Sequence, residues 1–275
     1  AMNIITEPWR YQFFPVAVLA SMLVLALGAV VGVSLKEREQ IYLGQGVSQS
    51  MLAGAIISAS SGVTGVLGAF IAAILSSLVS YMLGKRRVDG ENVSIAITSS
   101  AFLSIGVAVL SMRRERALNT TNLLFGNVLG ADWTQVTTTA AVLVLAGVFY
   151  VKYARRLSLI GMSREVAGGA GLKVRTLEIT HALCVAAAVA VSVHTAGVLL
   201  TIASLVIPGA IARCWTKTLL GMYAASTVSA VVVAFLGIYV SYYTDIPSGP
   251  AVCLIGVSIY AASAAFDTLK TSYNN

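Results

Sequence analysis

Apolar residues run along this chain in long stretches separated by short polar and basic joints. A helix needs about 20 mainly apolar residues to cross the hydrocarbon core of a bilayer. The runs at 13–33, 43–60, 64–84, 93–112, 133–151, 177–194, 197–212, 219–240 and 250–267 fit that requirement. The pair 177–194 and 197–212 is ambiguous, because each member is short and Pro208 interrupts the second. Eight or nine crossings are therefore expected. The pattern predicts an all-α polytopic membrane protein with a single transmembrane domain over residues 1–275.

The joints carry their own signals. "TEPWRYQFF" before the first run has the aromatic and charged mixture of an interfacial segment. "MRRERALNTTNLLFGNVLGAD" (112–132) holds an apolar stretch too short to cross and reads as a re-entrant or half helix. "SYYTDIPSGP" (241–250) reads as a compact outer turn, with Asp245 capping locally and Pro247 and Pro250 breaking both flanks. The longest inner loop, 151–178, is amphipathic and basic, and its short helix should end near Gly168, Gly169 and Gly171.

Composition agrees with the pattern. The chain is 57% hydrophobic and 11% charged, where a soluble domain averages about 25% charged. With nine crossings and the N-terminus outside, Lys36, Arg38, Lys85, Arg86, Arg87, Lys152, Arg155, Arg156, Arg164, Lys173, Arg175, Arg213, Lys217 and Lys270 fall on the inner side. Only Arg10, Arg113, Arg114 and Arg116 fall outside. The positive-inside rule selects this orientation, with a cytoplasmic C-terminus. The net charge of +7 thus reads as a topology signal, and a nucleic-acid partner is not expected. No cleavable signal peptide is evident. Cys184, Cys214 and Cys253 lack CxxC spacing and read as reduced packing residues.

Candidate chemistry is sparse. The sequence has no GxxxxGK[ST], HExxH or GxSxG motif, so neither an ATPase nor a hydrolase is expected on this chain. His181, near the inner end of a span, reads as a packed or interfacial residue, and His194 as a loop-edge residue. No Asp or Glu falls at the centre of a span, which argues against a secondary transporter. The polar exception is "GQGVSQSMLAG" (44–54). Gln45 and Gln49 stand one helical turn apart on one face, with Ser48 beside them, while Gly44, Gly46 and Gly54 admit a close neighbour. Two readings stand: interhelical hydrogen bonds, or the polar lining of a substrate path to which Thr98, Ser99 and Ser100 also contribute. An unsatisfied amide in hydrocarbon costs several kcal/mol, so such residues need a partner or a task.

Several motifs carry a resemblance. "GVLLTIASLVIPGAIARCW" (197–215) resembles the Leu-Ile-Pro-Ala-Ala-Thr-Ala-Arg segment of the membrane permeases of bacterial ABC importers for zinc, manganese and related metals. Ile207, Pro208, Ala212 and Arg213 stand at its matching positions. "YYTDIPSGPAVCL" (242–254) resembles that family's Leu-Asp-x-Pro-x-Gly-Pro turn through Asp245, Pro247, Gly249 and Pro250, and "LLFGNVLG" (123–130) its Leu-Phe-Gly-x-x-Leu segment. The resemblance implies two permease chains, alike or different, on cytoplasmic ATP-binding-cassette ATPases, fed by an extracytoplasmic metal-binding protein. "SREVAGGAG" (163–171) is similar to the family's coupling helix. Glu165, Ala167, Gly168 and Gly171 would then mark the ATPase contact, with Ser163 and Arg164 in place of Asp and Pro. No cofactor is implied.

The resemblance weakens at one place. The family's Gly-Asp-Ala-x-Ser-His-Ala-x-x-Pro-Gly pattern, whose Asp and His face the metal path, aligns Gln45 with the Asp, Gln49 with the His and Ala53 with the Pro. Gly44, Ser48 and Gly54 are kept. Two neutral amides offer carbonyl oxygens but no charge against a divalent ion. Three alternatives follow: a permease paired with a different chain that brings the acid and imidazole, a permease for a chelated metal, or a non-transporting scaffold. The ligands of any metal stay open.

Overall fold

The computed structural model describes residues 8, 11, 13–60, 65–84, 91–112 and 128–273. Among them are nine helices: α1 (Phe13–Glu37), α2 (Ile41–Ser60), α3 (Gly65–Gly84), α4 (Glu91–Met112), α5 (Trp133–Met162), α6 (Arg164–Gly169), α7 (Val174–Trp215), α8 (Leu219–Thr244) and α9 (Ser248–Tyr273). A 3₁₀ turn, Val128–Gly130, precedes α5. The half helix expected in 112–132 falls largely outside the described residues. Seven of the helices are long and apolar enough to cross a membrane. Helix α2 has spanning length but carries the polar residues of its first half.

Helices α1 and α7 form the centre, and both pack on α2, α5 and α8. Helix α1 lies inside because it is free of charge until Lys36 and has glycines where α7 crosses. A Cβ at Gly28 would strike Ser204, and one at Gly32 would strike the Leu205 backbone. Helices α2, α3 and α4 pack together as a second layer through Gly46, Gly54 and Gly68. At one end of the bundle, Phe14 meets the Tyr239 and Tyr242 rings edge-on at 5.3 and 5.5 Å, and Tyr11 lies against Tyr242. An aromatic girdle of this kind belongs at a membrane–water interface.

Helix α7 has 42 residues but is not one rod. Its start is held by Arg38, which reaches Glu178 at 3.6 Å. Its end is held by the neighbouring Glu37, which Arg213 reaches at 3.6 Å, and by Lys36, whose Nζ donates to the Gly209 carbonyl. Both ends therefore lie at the same end of α1. The chain folds back at Gly197, whose φ of 82° and ψ of 169° are open only to glycine. The first arm runs antiparallel to α5, with His181 against Tyr150 and Thr195 against Thr139. The second runs parallel to α1. The two arms of α7 account for the two apolar runs 177–194 and 197–212.

Three expectations are corrected. Pro208 does not interrupt its helix; the break is at Gly197, while Pro208 lies buried inside the second arm. Its missing N–H removes one helical bond, and the surrounding packing holds the rest in place. Helix α5 does not stop at 151 but continues to Met162, because "KYARRLSLIGM" contains no proline and its one glycine, Gly161, comes only in the last turn before Ser163 caps the next helix. Pro250 does not break a flank. It lies in the first turn of α9, where a missing N–H costs nothing. Asp245 ends α8 in the left-handed conformation, which a short polar side chain tolerates.

Candidate functional site

Helix α2 is covered on three sides. Gly44 faces Leu205, Gly46 faces Ile95 and Ser99, and Gly54 faces Gly68 and Ala72. The remaining arc holds Tyr42, Gln45, Gln49 and Leu52, which recur at helical spacing. Gln45 is exposed and Gln49 half-buried. Ser48 is buried and donates its hydroxyl to the Gly44 carbonyl. Thr98 and Ser99 are likewise turned back onto their own helix, to Ser94 and Ala96, while Ser100 is exposed. The two amides thus form the polar face that α2 leaves open on this chain. Among the described residues no group of three or more His, Cys, Asp or Glu is placed to hold a metal ion.

Helix α6 lies beyond the end of α5. It is six residues long, with both ends closed. Ser163 is its N-cap and accepts from the Val166 N–H at 3.4 Å, so serine performs the task of the expected aspartate. At the other end Leu172 N–H donates to the Ala167 carbonyl and Gly171 N–H to the Gly168 carbonyl. That is a Schellman motif, and it requires Gly171 at φ 76°. Ala167 is the buried anchor, whereas Glu165, Val166, Gly168 and Gly169 are exposed. Nothing lies within 4 Å of where a Cβ would stand at Gly168, so this chain's own packing does not demand glycine there.

A cluster that sequence patterns did not reveal joins α6 to the bundle. Glu178 is buried, and Arg164, the first residue of α6, brings Nε to 2.9 Å from its Oε1. Arg38, also buried, approaches the same oxygen at 3.6 Å from the α1–α2 corner. One carboxylate therefore holds a cation from the small helix and one from the corner that leads into Gln45 and Gln49. Burial lowers the Arg38 pKa, and the Glu178 carboxylate opposes that effect. Beside the cluster is a cavity of about 30 Å³ lined by Arg38, Gln40, Ser77, Ser80, Glu178 and His181. It has room for a water molecule. His181 Nδ1 is 3.1 Å from the Tyr150 hydroxyl, and its Nε2 faces away without a partner. His194 is exposed beside the fold-back, and the three cysteines are free and half-buried.

The described side chains of Lys36, Arg38, Lys152, Arg155, Arg156, Arg164, Lys173, Arg175, Arg213 and Lys217 all lie at the α6 end. No described Lys or Arg side chain lies at the aromatic end. Such one-sided charge on a bundle of apolar helices defines a multi-pass membrane protein.

The ABC 3 transport family model matches residues 10–267, and the chain belongs to that family. It is 26% identical over 257 residues to the manganese transport system membrane protein MntC of Halalkalibacterium halodurans, covering 93% of this chain and 88% of that one. It is 24% identical over 268 residues to the chelated iron transport system membrane protein YfeD of Yersinia pestis, covering 98% and 90%. In fold it matches PsaBC from Streptococcus pneumoniae, solved in complex with Fab, with a TM-score of 0.81 at 20% identity over 95% of this chain and 94% of that one.

Proposed function

We propose that this chain is the permease subunit of an ABC importer for a divalent transition metal such as manganese, iron or zinc. An extracytoplasmic binding protein delivers the metal, and a separate ATPase drives its passage. Two permease chains form the path, the N-terminus lies outside, and the α6 end faces the cytoplasm. The observation that carries this reading is α6 itself. A helix of six residues has no stability of its own, yet here it is capped at both ends, anchored by Ala167 and presented to solvent at the basic end. A rigid, exposed knob suits a docking surface for a moving ATPase better than it suits a passive loop.

Val166, 61% exposed, supplies the apolar centre of that knob. Val166→Asp should abolish co-purification of the proposed ATPase partner and leave the permease folded. Retention of the ATPase at wild-type levels would refute α6 as the docking site.

The α2 face favours a specific version of the path. Gln45 and Gln49 offer a metal oxygen dipoles without charge, so a bare divalent ion would lose hydration without compensation. Either the metal arrives shielded by a chelator, or a second, different permease brings the charged ligands. ATPase activity of the reconstituted complex with free and chelated Mn²⁺, Fe²⁺ and Zn²⁺ separates these cases. A homodimer stimulated only by free ions would remove both.

A further inference from the structure

Helices α5 and α8 both rest on α1, but at the α6 end they diverge and leave a cleft of about 690 Å³. Val30 of α1 forms its floor. Tyr150 and Tyr223, with ring centroids 6.3 Å apart, close its deep end. Val151 and Leu220 form the walls and are 86% and 82% exposed. The α5 wall continues outward through Leu145 and Val148, which are also exposed, so the cleft opens onto an exposed apolar flank of the bundle.

The mouth has the opposite chemistry. Lys152, Arg155 and Arg156 line it, and Lys217 precedes the Thr218 that caps α8. Lys152 and Arg156 lie 5.5 and 5.7 Å from the Tyr153 ring centroid. No acidic residue lines the cleft, and among the described residues none of these cations has a carboxylate partner. The basic residues that do find carboxylates, Arg38, Arg164 and Arg213, are elsewhere at the same end.

An apolar slot open to the bilayer, with three cations at the headgroup level, is complementary to a molecule that is anionic at one end and aliphatic at the other. We propose that this cleft is a binding site for an anionic phospholipid, with the phosphate at Lys152, Arg155 and Arg156 and an acyl chain against Val30, Val151 and Leu220. A lipid seated there fills the gap between α5, which carries α6, and α8. It thereby fixes the angle at which α6 leaves the membrane. This site depends only on the membrane position of the chain and not on the metal it carries.

The test uses the full chain in nanodiscs of phosphatidylcholine with and without about 20% phosphatidylglycerol, and native mass spectrometry to read retained lipid. Wild-type protein should retain phosphatidylglycerol over phosphatidylcholine and melt at a higher temperature with it. K152Q/R155Q/R156Q should bind it about a hundredfold more weakly. Leu220→Glu should weaken it by putting a like charge in the wall. K173Q/R175Q, which removes two cations of the same end away from the cleft, should bind as wild type does. Equal retention of the two lipids, or unchanged retention in the triple variant, would overturn the site. So would equal protection by inorganic phosphate alone, or loss of ATPase binding in the triple variant with lipid binding intact.

Discussion

Glu178 makes the most demanding single-residue arrangement in the chain. It stands three positions before His181 on one face of the first arm of α7, at 1% side-chain exposure, between two arginines. Removing it leaves Arg38 buried with no compensating charge. Glu178→Ala should therefore cost about 3–5 kcal/mol of stability, read as a fall in thermal unfolding midpoint. Arg164→Ala should cost at most about 1 kcal/mol, because that side chain is 38% exposed and its pair is screened. The difference between the two variants measures how far the cluster is a buried network rather than a surface bridge. A second local test lies at Glu39, which holds φ 57° at the end of α1. Glu39→Gly should stabilise the chain by about 1 kcal/mol, since glycine adopts that conformation without strain. The same unfolding curve would report it.

The sequence made the elements legible in kind but not all their relations. Long apolar runs located the seven candidate spanning helices among the described residues because in hydrocarbon a helix must satisfy its own backbone, and length alone then reveals it. The glycines of "SREVAGGAG" marked the end of α6 because a C-terminal cap has local chemistry, whereas the Ser163 cap at its start came only with the structure. The fold-back was harder to place. Pro208 looked like the interruption, yet a proline removes one N–H, whereas a glycine at positive φ redirects the chain. The Glu178 cluster was illegible for another reason: its three members come from α7, α6 and the α1–α2 corner, and each resembles an ordinary loop-edge charge. The Glu178-x-x-His181 spacing at the start of an apolar span was the available hint. At this scale, Gly171→Ala should strain the Schellman motif by about 1–2 kcal/mol. The cost should be confined to α6, leaving the unfolding midpoint of the bundle close to wild type, while ATP hydrolysis in the proposed complex should fall.

For the whole molecule, the sidedness of the bundle is the property to establish. A cysteine placed at His194, beside the fold-back, should react with a membrane-impermeant maleimide from outside intact cells. One placed at Gly168 in α6 should react only after permeabilisation. The reverse pattern would invert the proposed orientation and separate α6 from any cytoplasmic ATPase. Gly197→Ala bears on the same property, since the strained backbone should cost about 1–3 kcal/mol and weaken the fold-back. The stakes at that residue are set during biosynthesis. Were Gly197 to continue as helix, the 42 residues of α7 would form a rod about 63 Å long, twice what a bilayer accommodates. If the second arm then failed to return, every segment after Trp215 would be threaded in the mirror sense, and the C-terminus would emerge in the wrong compartment. One achiral residue would thus set the sense in which α8 and α9 are threaded.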